Sequence, residues 1–217
     1  MARESVERTV KFLRILHHYR RLHEDFERSG SGAYRITSLG AWAASRPAHV
    51  YYFLKRLGIE KDRLFVDLGS GDGLVACVAG LFARSVGIEA DPELCRTAGR
   101  ALLDLALSHR VEIVCGDYLT MDLRRADCLY LYPDKPFYAL EERLQSWPGR
   151  LLVYGPHFPP ARLIPGRQLR CGRERIQEYR VRLGPDDAGG TNPSQNEVRK
   201  RNRLNDPGDQ KPWRRGG

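Results

Sequence analysis

The chain has 217 residues, 41% of them hydrophobic, and a formal net charge of +9. That hydrophobic content is enough to build a core and excludes wholesale disorder, and the length fits one domain with extensions. The longest apolar stretch, residues 74–83, is far shorter than the roughly 20 residues that a membrane span needs, so we expect no span. Basic and acidic residues alternate in the first dozen positions, which favours neither a signal peptide nor a transit peptide.

The five cysteines make an odd count without a Cys-x-x-Cys pair, and most of them fall in predicted helices or strands. This usage is typical of a reducing cytoplasm, and the cysteine and histidine spacings indicate no metal site. The positive charge is spread over the N-terminal region, residues 162–182 and the C-terminal tail. Because no dense basic run occurs, it indicates solvated surface more than a nucleic-acid site.

Residues 3–28 are predicted to form one amphipathic helix. Apolar side chains recur at spacings of three and four, which places them on one face: Phe12, Ile15, Tyr19, Leu22 and Phe26. The run Ser29-Gly30-Ser31-Gly32 ends the helix. The helix is interpreted first as a brace on the main domain, and alternatively as an element that grips a substrate or forms a dimer.

From Leu64 onward, short apolar runs alternate with helical stretches. Strands are predicted at 64–68, 85–89, 111–115, 128–132 and 150–154, and helices at about 74–84, 92–108 and 137–145. This alternation predicts a doubly wound, mostly parallel α/β sheet of the Rossmann-like type, with both faces covered by helices.

The remaining segments complete the predicted organisation. Residues 167–170 and 176–183 are predicted to form a final antiparallel hairpin, and the polar composition from about Pro185 predicts a disordered tail. We therefore divide the chain into an N-terminal helical extension (1–60), an α/β domain (61–184) and a disordered basic tail (185–217).

The strongest motif is a strand that runs into a glycine-rich turn and then directly into a helix. It reads Phe65-Val66-Asp67-Leu68-Gly69-Ser70-Gly71-Asp72-Gly73. Glycines in such a turn tolerate positive φ and let a ligand touch bare backbone, next to the free N–H groups of the helix that follows. A dinucleotide-binding fingerprint would place the third glycine at position 74, where this chain has Leu74. The motif instead resembles that of class I methyltransferases, which use S-adenosylmethionine (SAM).

That resemblance extends from about Leu64 to Tyr154 and implies a set of cofactor-binding residues. Within the glycine motif these are Asp67, Gly69, Ser70, Gly71, Asp72 and Gly73. The end of the second strand adds Glu89 and Ala90, where an acid is placed to accept the ribose hydroxyls. After the third strand, Asp117 and Tyr118 correspond to the acid that meets the adenine amino group and the side chain that covers the ring.

The segment after the fourth strand, Tyr130 to Phe137, lies where methyltransferases place the acceptor. Tyr132 and Asp134 are the candidate catalytic residues there. The segment lacks the Asn/Asp-Pro-Pro-aromatic motif of adenine and cytosine amino methyltransferases. A proline-bounded loop that serves packing alone is the open alternative.

Within the superfamily, the whole stretch from about Leu64 to Tyr154 most resembles small protein-lysine methyltransferases of the seven-strand type. The resemblance implies SAM as cofactor and a protein lysine as methyl acceptor. Alternatives left open are an RNA or small-molecule acceptor and a SAM-binding partner subunit without catalysis, while Leu74 disfavours a nicotinamide-dependent oxidoreductase. A protein substrate is expected as the partner, with RNA as the alternative and no membrane; the sequence does not indicate an oligomeric state.

Overall fold

The computed structural model describes residues 2–30, 34–37 and 40–181. Its centre is a seven-stranded sheet with the order β5-β4-β3-β6-β7-β9-β8. The strands are β3 (Leu64–Leu68), β4 (Arg84–Glu89), β5 (Val111–Cys115), β6 (Cys128–Leu131), β7 (Arg150–Tyr154), β8 (Ile164–Cys171) and β9 (Glu174–Arg180). Strands β3 to β7 pair in parallel, whereas β9 is antiparallel to both β7 and β8. The predicted mostly parallel sheet and the final hairpin are confirmed.

Helices cover both faces of this sheet. Helices α1 (Ala2–Arg28), α2 (Pro47–Leu57), α3 (Leu74–Ala79) and α4 (Pro92–Asp104) pack on one face, and α5 (Tyr138–Arg143) packs on the other. A hydrophobic core lies on each face of the sheet, and successive strand residues point alternately into the two cores. Phe65 therefore faces α1 to α4, while Val66 faces α5. Buried apolar side chains on both faces explain the nearly continuous apolar strands of the sequence.

The N-terminal helix is present as predicted and lies against α2 and α3. On its inner face Ile15 and Tyr19 are fully buried, and the Phe12 ring stacks on Tyr51 with ring centroids 4.1 Å apart. The packing agrees with the interpretation of this helix as a brace. No helix among the described residues is both long enough and apolar enough to cross a bilayer.

Several predicted elements are shorter than expected, among them two helices and one strand. Helix α3 ends at Ala79 rather than near residue 84, and Gly80 follows it at a position where a Cβ would collide with the Val111 side chain of β5. Helix α4 ends at Asp104, shortly before Ala106 adopts a left-handed φ of 53°. Strand β6 ends at Leu131, which leaves Tyr132 in the following loop.

The segment 1–60 is not entirely helical, which corrects one expectation. It contains a hairpin of β1 (Tyr34–Thr37) and β2 (Gly40–Ala43), followed by α2. Four-residue strands carry too little pattern to be recognised in a sequence. Helix α2 does carry its signals, since proline opens it, Gly58 at φ 69° caps it, and its buried residues recur at helical spacing. The boundary at residue 60 stays a prediction, and the predicted disordered tail lies outside the described residues.

Candidate functional site

A cavity of about 620 Å³ opens at the carboxyl ends of β3, β4 and β6. Ligand sites of roughly 300–1,000 Å³ are usual, and open α/β sheets bind ligands at this edge. Most of the predicted site lies in its wall, including Asp67, Gly69, Ser70, Asp72, Glu89, Ala90, Asp117, Tyr118, Tyr132 and Asp134. Eight of the ten predicted cofactor-binding residues therefore line one cavity, and Gly71 and Gly73 lie just behind it.

The backbone of the glycine loop requires its glycines. Gly69, Gly71 and Gly73 adopt φ values of 72°, 56° and 81°, which are unfavourable for any residue with a Cβ. At Gly69 a Cβ would meet nothing within 4 Å, so open space lies beside the backbone there. At Gly73 a Cβ would lie 2.9 Å from that of Ala98, so this glycine also lets α3 and α4 approach each other.

Glu89 fastens the glycine loop to the end of β4. Its Oε2 accepts a hydrogen bond from the Gly71 N–H at 2.7 Å, and its Oε1 accepts one from the Asp91 N–H at 2.8 Å. The Asp91 carboxylate in turn caps the first turn of α4. Each carboxylate oxygen can accept a second hydrogen bond, so Glu89 can serve both the loop and a ligand hydroxyl.

Three buried polar atoms in the cavity wall have no hydrogen-bond partner within the described part of the chain. They are Asp67 Oδ2, Ser70 Oγ and Tyr130 Oη, in residues that are 1%, 6% and 2% exposed. Burial raises the pKa of the Asp67 carboxyl well above its usual range, and the neighbouring charges of Glu89 and Asp72 raise it further. Buried polar atoms left without partners disfavour an empty site, and three clustered carboxyl groups favour a ligand with positive charge.

The predicted adenine position follows β5. The Asp117 carboxylate accepts a hydrogen bond from the Leu119 N–H at 2.8 Å and caps the short 3-10 turn Tyr118–Thr120. The Gly116 N–H donates to the Glu89 carbonyl oxygen at 2.7 Å, which holds this loop beside the end of β4. Tyr118 is half-buried, and burial raises the pKa of its phenol.

The far side of the cavity is aromatic. Tyr132 is 41% exposed at the mouth, and its ring meets that of Tyr154 edge-on with centroids 4.9 Å apart. Tyr130 and Phe137 are buried in the same wall, and Asp134 and Lys135 stand between the two prolines of the loop. Burial raises the phenol pKa of Tyr130, Tyr132 and Tyr154, so all three stay protonated at neutral pH.

Sequence reasoning missed several residues of this site. Tyr130 sits within a strand, where an aromatic residue indicates core and nothing more. Phe158 lines the mouth with a left-handed φ of 54°, an unusual backbone state for a bulky residue that often accompanies a functional position. No feature of the sequence signals that conformation.

Helix α1 also reaches the glycine loop, which the sequence did not suggest. The Tyr19 hydroxyl donates to the Asp72 carbonyl oxygen at 3.0 Å, and His23 Nε2 lies 2.7 Å from Asp72 Oδ2. Asp72 Oδ1 accepts a hydrogen bond from the Leu74 N–H at the start of α3. The contacts join the first helix of the chain to the wall of the cavity.

Comparisons with known proteins agree with this geometry. The family model of protein-L-isoaspartate(D-aspartate) O-methyltransferase matches residues 24–120. An RNA methyltransferase from Salinibacter ruber, solved in complex with S-adenosyl-L-homocysteine, superposes with a TM-score of 0.58 at 25% identity, over 67% of this chain and 98% of that one. No curated protein matches the chain.

The chain is a methyltransferase of the class I superfamily. The mitomycin 7-O-methyltransferase MmcR shares the fold with a TM-score of 0.52 at 22% identity, over 62% of this chain and 53% of that one. The family match ends at Thr120, before the wall that carries Tyr130, Tyr132 and Asp134. It therefore covers the glycine loop and the ends of β4 and β5 but not the aromatic wall, and it does not single out the lysine-methylating subgroup.

Proposed function

We propose that this methyltransferase binds SAM in the cavity and transfers its methyl group to the amine of a protein lysine. The observation that carries the proposal is the charge of the cavity wall, which contains the carboxyl groups of Asp67, Asp72, Glu89, Asp117 and Asp134. Among the described lining residues, Lys135 is the only lysine or arginine. Such a wall attracts cations, and both SAM and a lysine side chain are cationic.

The residues present fit the cofactor. Asp67 Oδ2 and Ser70 Oγ, two of the three partnerless buried atoms in the wall, would hold its polar groups next to the open backbone of Gly69. Glu89 would accept the ribose hydroxyls, and Asp117 with Tyr118 would hold the adenine ring. When bound, SAM supplies an electrophilic methyl group on a sulfonium, so the protein needs no nucleophile of its own.

The acceptor side suits a long apolar stem that ends in an amine. The rings of Tyr130, Tyr132 and Phe137 can contact the lysine methylenes, and their faces attract an ammonium group. The amine must lose a proton before it attacks, and desolvation among these rings lowers its pKa. Because the tyrosines stay protonated, they hold the acceptor and exclude water rather than act as bases. The proton would pass to Asp134, an exposed acid in the same wall as these rings.

The same charge argues against two other acceptors. The carboxylate acceptor named in the matching family model would bring a negative charge towards Asp134 and the other acids of the wall. RNA would bring phosphates to the same mouth. RNA nevertheless stays the second candidate, because the Salinibacter ruber protein is an RNA methyltransferase that is matched over nearly its whole length.

Transfer of a labelled methyl group into cell extract tests the proposal. Purified protein is incubated with methyl-labelled SAM, and the product is treated in parallel with ribonuclease, protease and mild base. Label that survives ribonuclease and base and migrates as methyl-lysine after hydrolysis supports it. Label removed by ribonuclease would identify an RNA methyltransferase, and label released as methanol by base would identify a carboxyl methyltransferase; either result contradicts the lysine acceptor. Absence of label in every fraction, with SAM still bound, would point to a non-catalytic subunit.

A further inference from the structure

The glycine loop is held from outside the α/β sheet by two side chains of α1. His23 Nε2 lies 2.7 Å from Asp72 Oδ2, and the Tyr19 hydroxyl donates to the backbone carbonyl of the same aspartate at 3.0 Å. The Asp72 side chain is only 3% exposed and the His23 side chain 17% exposed, so water screens the contact weakly. An ionised carboxylate has no proton to give, so Nε2 is the donor of this hydrogen bond.

Asp72 needs such support because of its surroundings. It shares the cavity wall with Asp67 and Glu89, and these neighbouring acidic groups repel one another when ionised. The residues on either side of it, Gly71 and Gly73, have no side chain with which to anchor the loop. Within the described residues, the direct restraints on the carboxylate are the Leu74 N–H and the His23 ring.

Helix α1 is rigid enough to act as the anchor. Besides the Phe12 stack on Tyr51, the Arg8 guanidinium lies 5.1 Å from the centre of the Phe82 ring, and Ile15 is 1% exposed. Tyr19 is wholly buried, and its hydroxyl also lies 3.4 Å from Cys77 Sγ in α3. His23 follows one turn later on the same face, so its position is fixed by the packing of the helix.

We infer that His23 and Tyr19 are positioning residues of the cofactor site, which hold Asp72 and the glycine loop in the shape that binds SAM. The inference rests on the proposed function, in which this cavity binds SAM. It makes α1 a working part of the methyltransferase site rather than a brace alone. His23 touches Asp72 and not the reacting atoms, so its loss acts on cofactor binding and not on the methyl transfer step.

Calorimetric titration with S-adenosylhomocysteine, on the full chain, tests the role of His23. His23→Ala is expected to weaken binding about tenfold, the size of effect that follows from losing a hydrogen bond to a charged group. His23→Gln keeps a donor and is expected to recover most of that loss. His17→Ala removes an exposed histidine from the same helix and should bind as the wild type does. In steady-state assays, His23→Ala should raise the KM for SAM and leave kcat unchanged.

A double variant shows whether His23 acts through Asp72. In an Asp72→Ala background, which has no side-chain acceptor for His23, adding His23→Ala should change the affinity less than twofold, because the interaction is already lost. A full tenfold effect in that background, or wild-type binding by His23→Ala itself, would overturn the inference while the wild type still binds. Failure of the wild type to bind S-adenosylhomocysteine would instead overturn the proposed function, so the two failures are distinguishable.

Tyr19→Phe is the matched test at the second contact. It removes one hydroxyl from a buried ring and keeps the packing, so the melting temperature reports any general damage separately. We expect weaker cofactor binding together with folded, cooperatively melting protein. Unchanged affinity in a folded Tyr19→Phe variant would contradict the role assigned to Tyr19.

Discussion

The two sides of the cavity are built differently. On the cofactor side, the glycine loop and the ends of β4 and β5 are joined by backbone hydrogen bonds, such as those from the Gly69 and Ser70 N–H groups to the Ile88 carbonyl. On the side proposed for the acceptor, the wall consists of side chains from the end of β6, from loops and from the start of α5, several of them exposed, such as Tyr132, Tyr138 and Phe158. The geometry of the first side is therefore set by the backbone, whereas the shape and chemistry of the second side depend on which side chains are present.

This difference explains why the residues of the first side could be predicted from the sequence and most residues of the second side could not. A backbone that turns at positive φ and touches a ligand admits few residue types, so its constraints appear as glycines and acids at fixed spacing. An aromatic wall can be built from many combinations of side chains. In a sequence, its residues cannot be distinguished from ordinary core or loop residues. Variants on the cofactor side should therefore change affinity, whereas variants on the acceptor side should change turnover.

Among the polar and aromatic side chains of the cavity, the largest effect is expected at Glu89. In Glu89→Ala the Gly71 and Asp91 N–H groups lose their acceptor and the proposed ribose ligand is gone, so affinity for S-adenosylhomocysteine should fall about a hundredfold, which corresponds to roughly 3 kcal/mol. Isothermal titration measures this. Glu60→Ala, at an exposed position outside the cavity, is the control and should bind normally. Wild-type affinity in Glu89→Ala would remove this residue from the cofactor site.

Tyr132 tests the opposite side. Tyr132→Ala should lower kcat for methyl transfer about tenfold or more at saturating SAM, since acceptor positioning and exclusion of water are lost. Its affinity for S-adenosylhomocysteine should stay unchanged. Tyr132→Phe keeps the ring and should retain most of the turnover. If Tyr132→Ala lost cofactor affinity in place of turnover, the division of the cavity into two functional sides would be broken.

A smaller, pH-dependent effect is expected at Asp67. Because its pKa is raised, the carboxyl is partly protonated at pH values where an ordinary aspartate is ionised, and a cationic ligand binds better to the ionised form. Affinity for the cofactor should therefore rise several-fold as the pH increases through that raised pKa. Asp67→Asn should bind more weakly and flatten this dependence. A wild-type profile that weakens with increasing pH would contradict the assignment.

Asp67 also has a consequence for the ligand-free protein. A carboxyl with a raised folded-state pKa stabilises the fold below its unfolded-state pKa, and that contribution is lost as the pH rises through the folded-state value. Asp67→Asn should therefore melt at a higher temperature than the wild type at neutral pH, and the advantage should shrink in acid. Differential scanning calorimetry at several pH values measures the difference.

The smallest effect is expected at Gly99, a glycine of α4 that is not part of the loop. A Cβ there meets nothing within 4 Å and the residue has no left-handed φ, so Gly99→Ala should stabilise the fold by roughly 0.5–1 kcal/mol. Cofactor affinity should not change. Thermal melting and titration together check both statements, and a loss of affinity here would mean that glycine substitutions act on the site through general damage.

The fold was predictable because its elements carry strong patterns. The bounds of β3, β5 and β7 agree with the apolar runs of the sequence, and Ser29-Gly30 marks the end of α1. The hairpin of β1 and β2 was missed because its strands are short. The early end of α3 was missed because the apolar run continues past Gly80 to Ala83, although the helix ends at Ala79.

The candidate site was predictable only where local backbone chemistry defines it. The spacing from Asp67 to Gly73 and the acid at Glu89 predicted the side of the cavity that we propose binds the cofactor. The hydrogen bond between His23 and Asp72 joins residues 49 positions apart in the sequence. The left-handed backbone of Phe158 is not signalled by the residues around it. Long-range pairs of this kind arise from packing and are not written in local spacing.

Calorimetric titration of S-adenosylhomocysteine into the wild type and into Gly71→Val tests the central claim most directly. Gly71 adopts a φ of 56°, which a β-branched residue strongly disfavours, and its N–H donates to Glu89. We predict micromolar binding by the wild type and no measurable binding by a Gly71→Val protein that still melts cooperatively. Absence of binding by the wild type, or equal binding by both proteins, would contradict the assignment of this loop as the cofactor site.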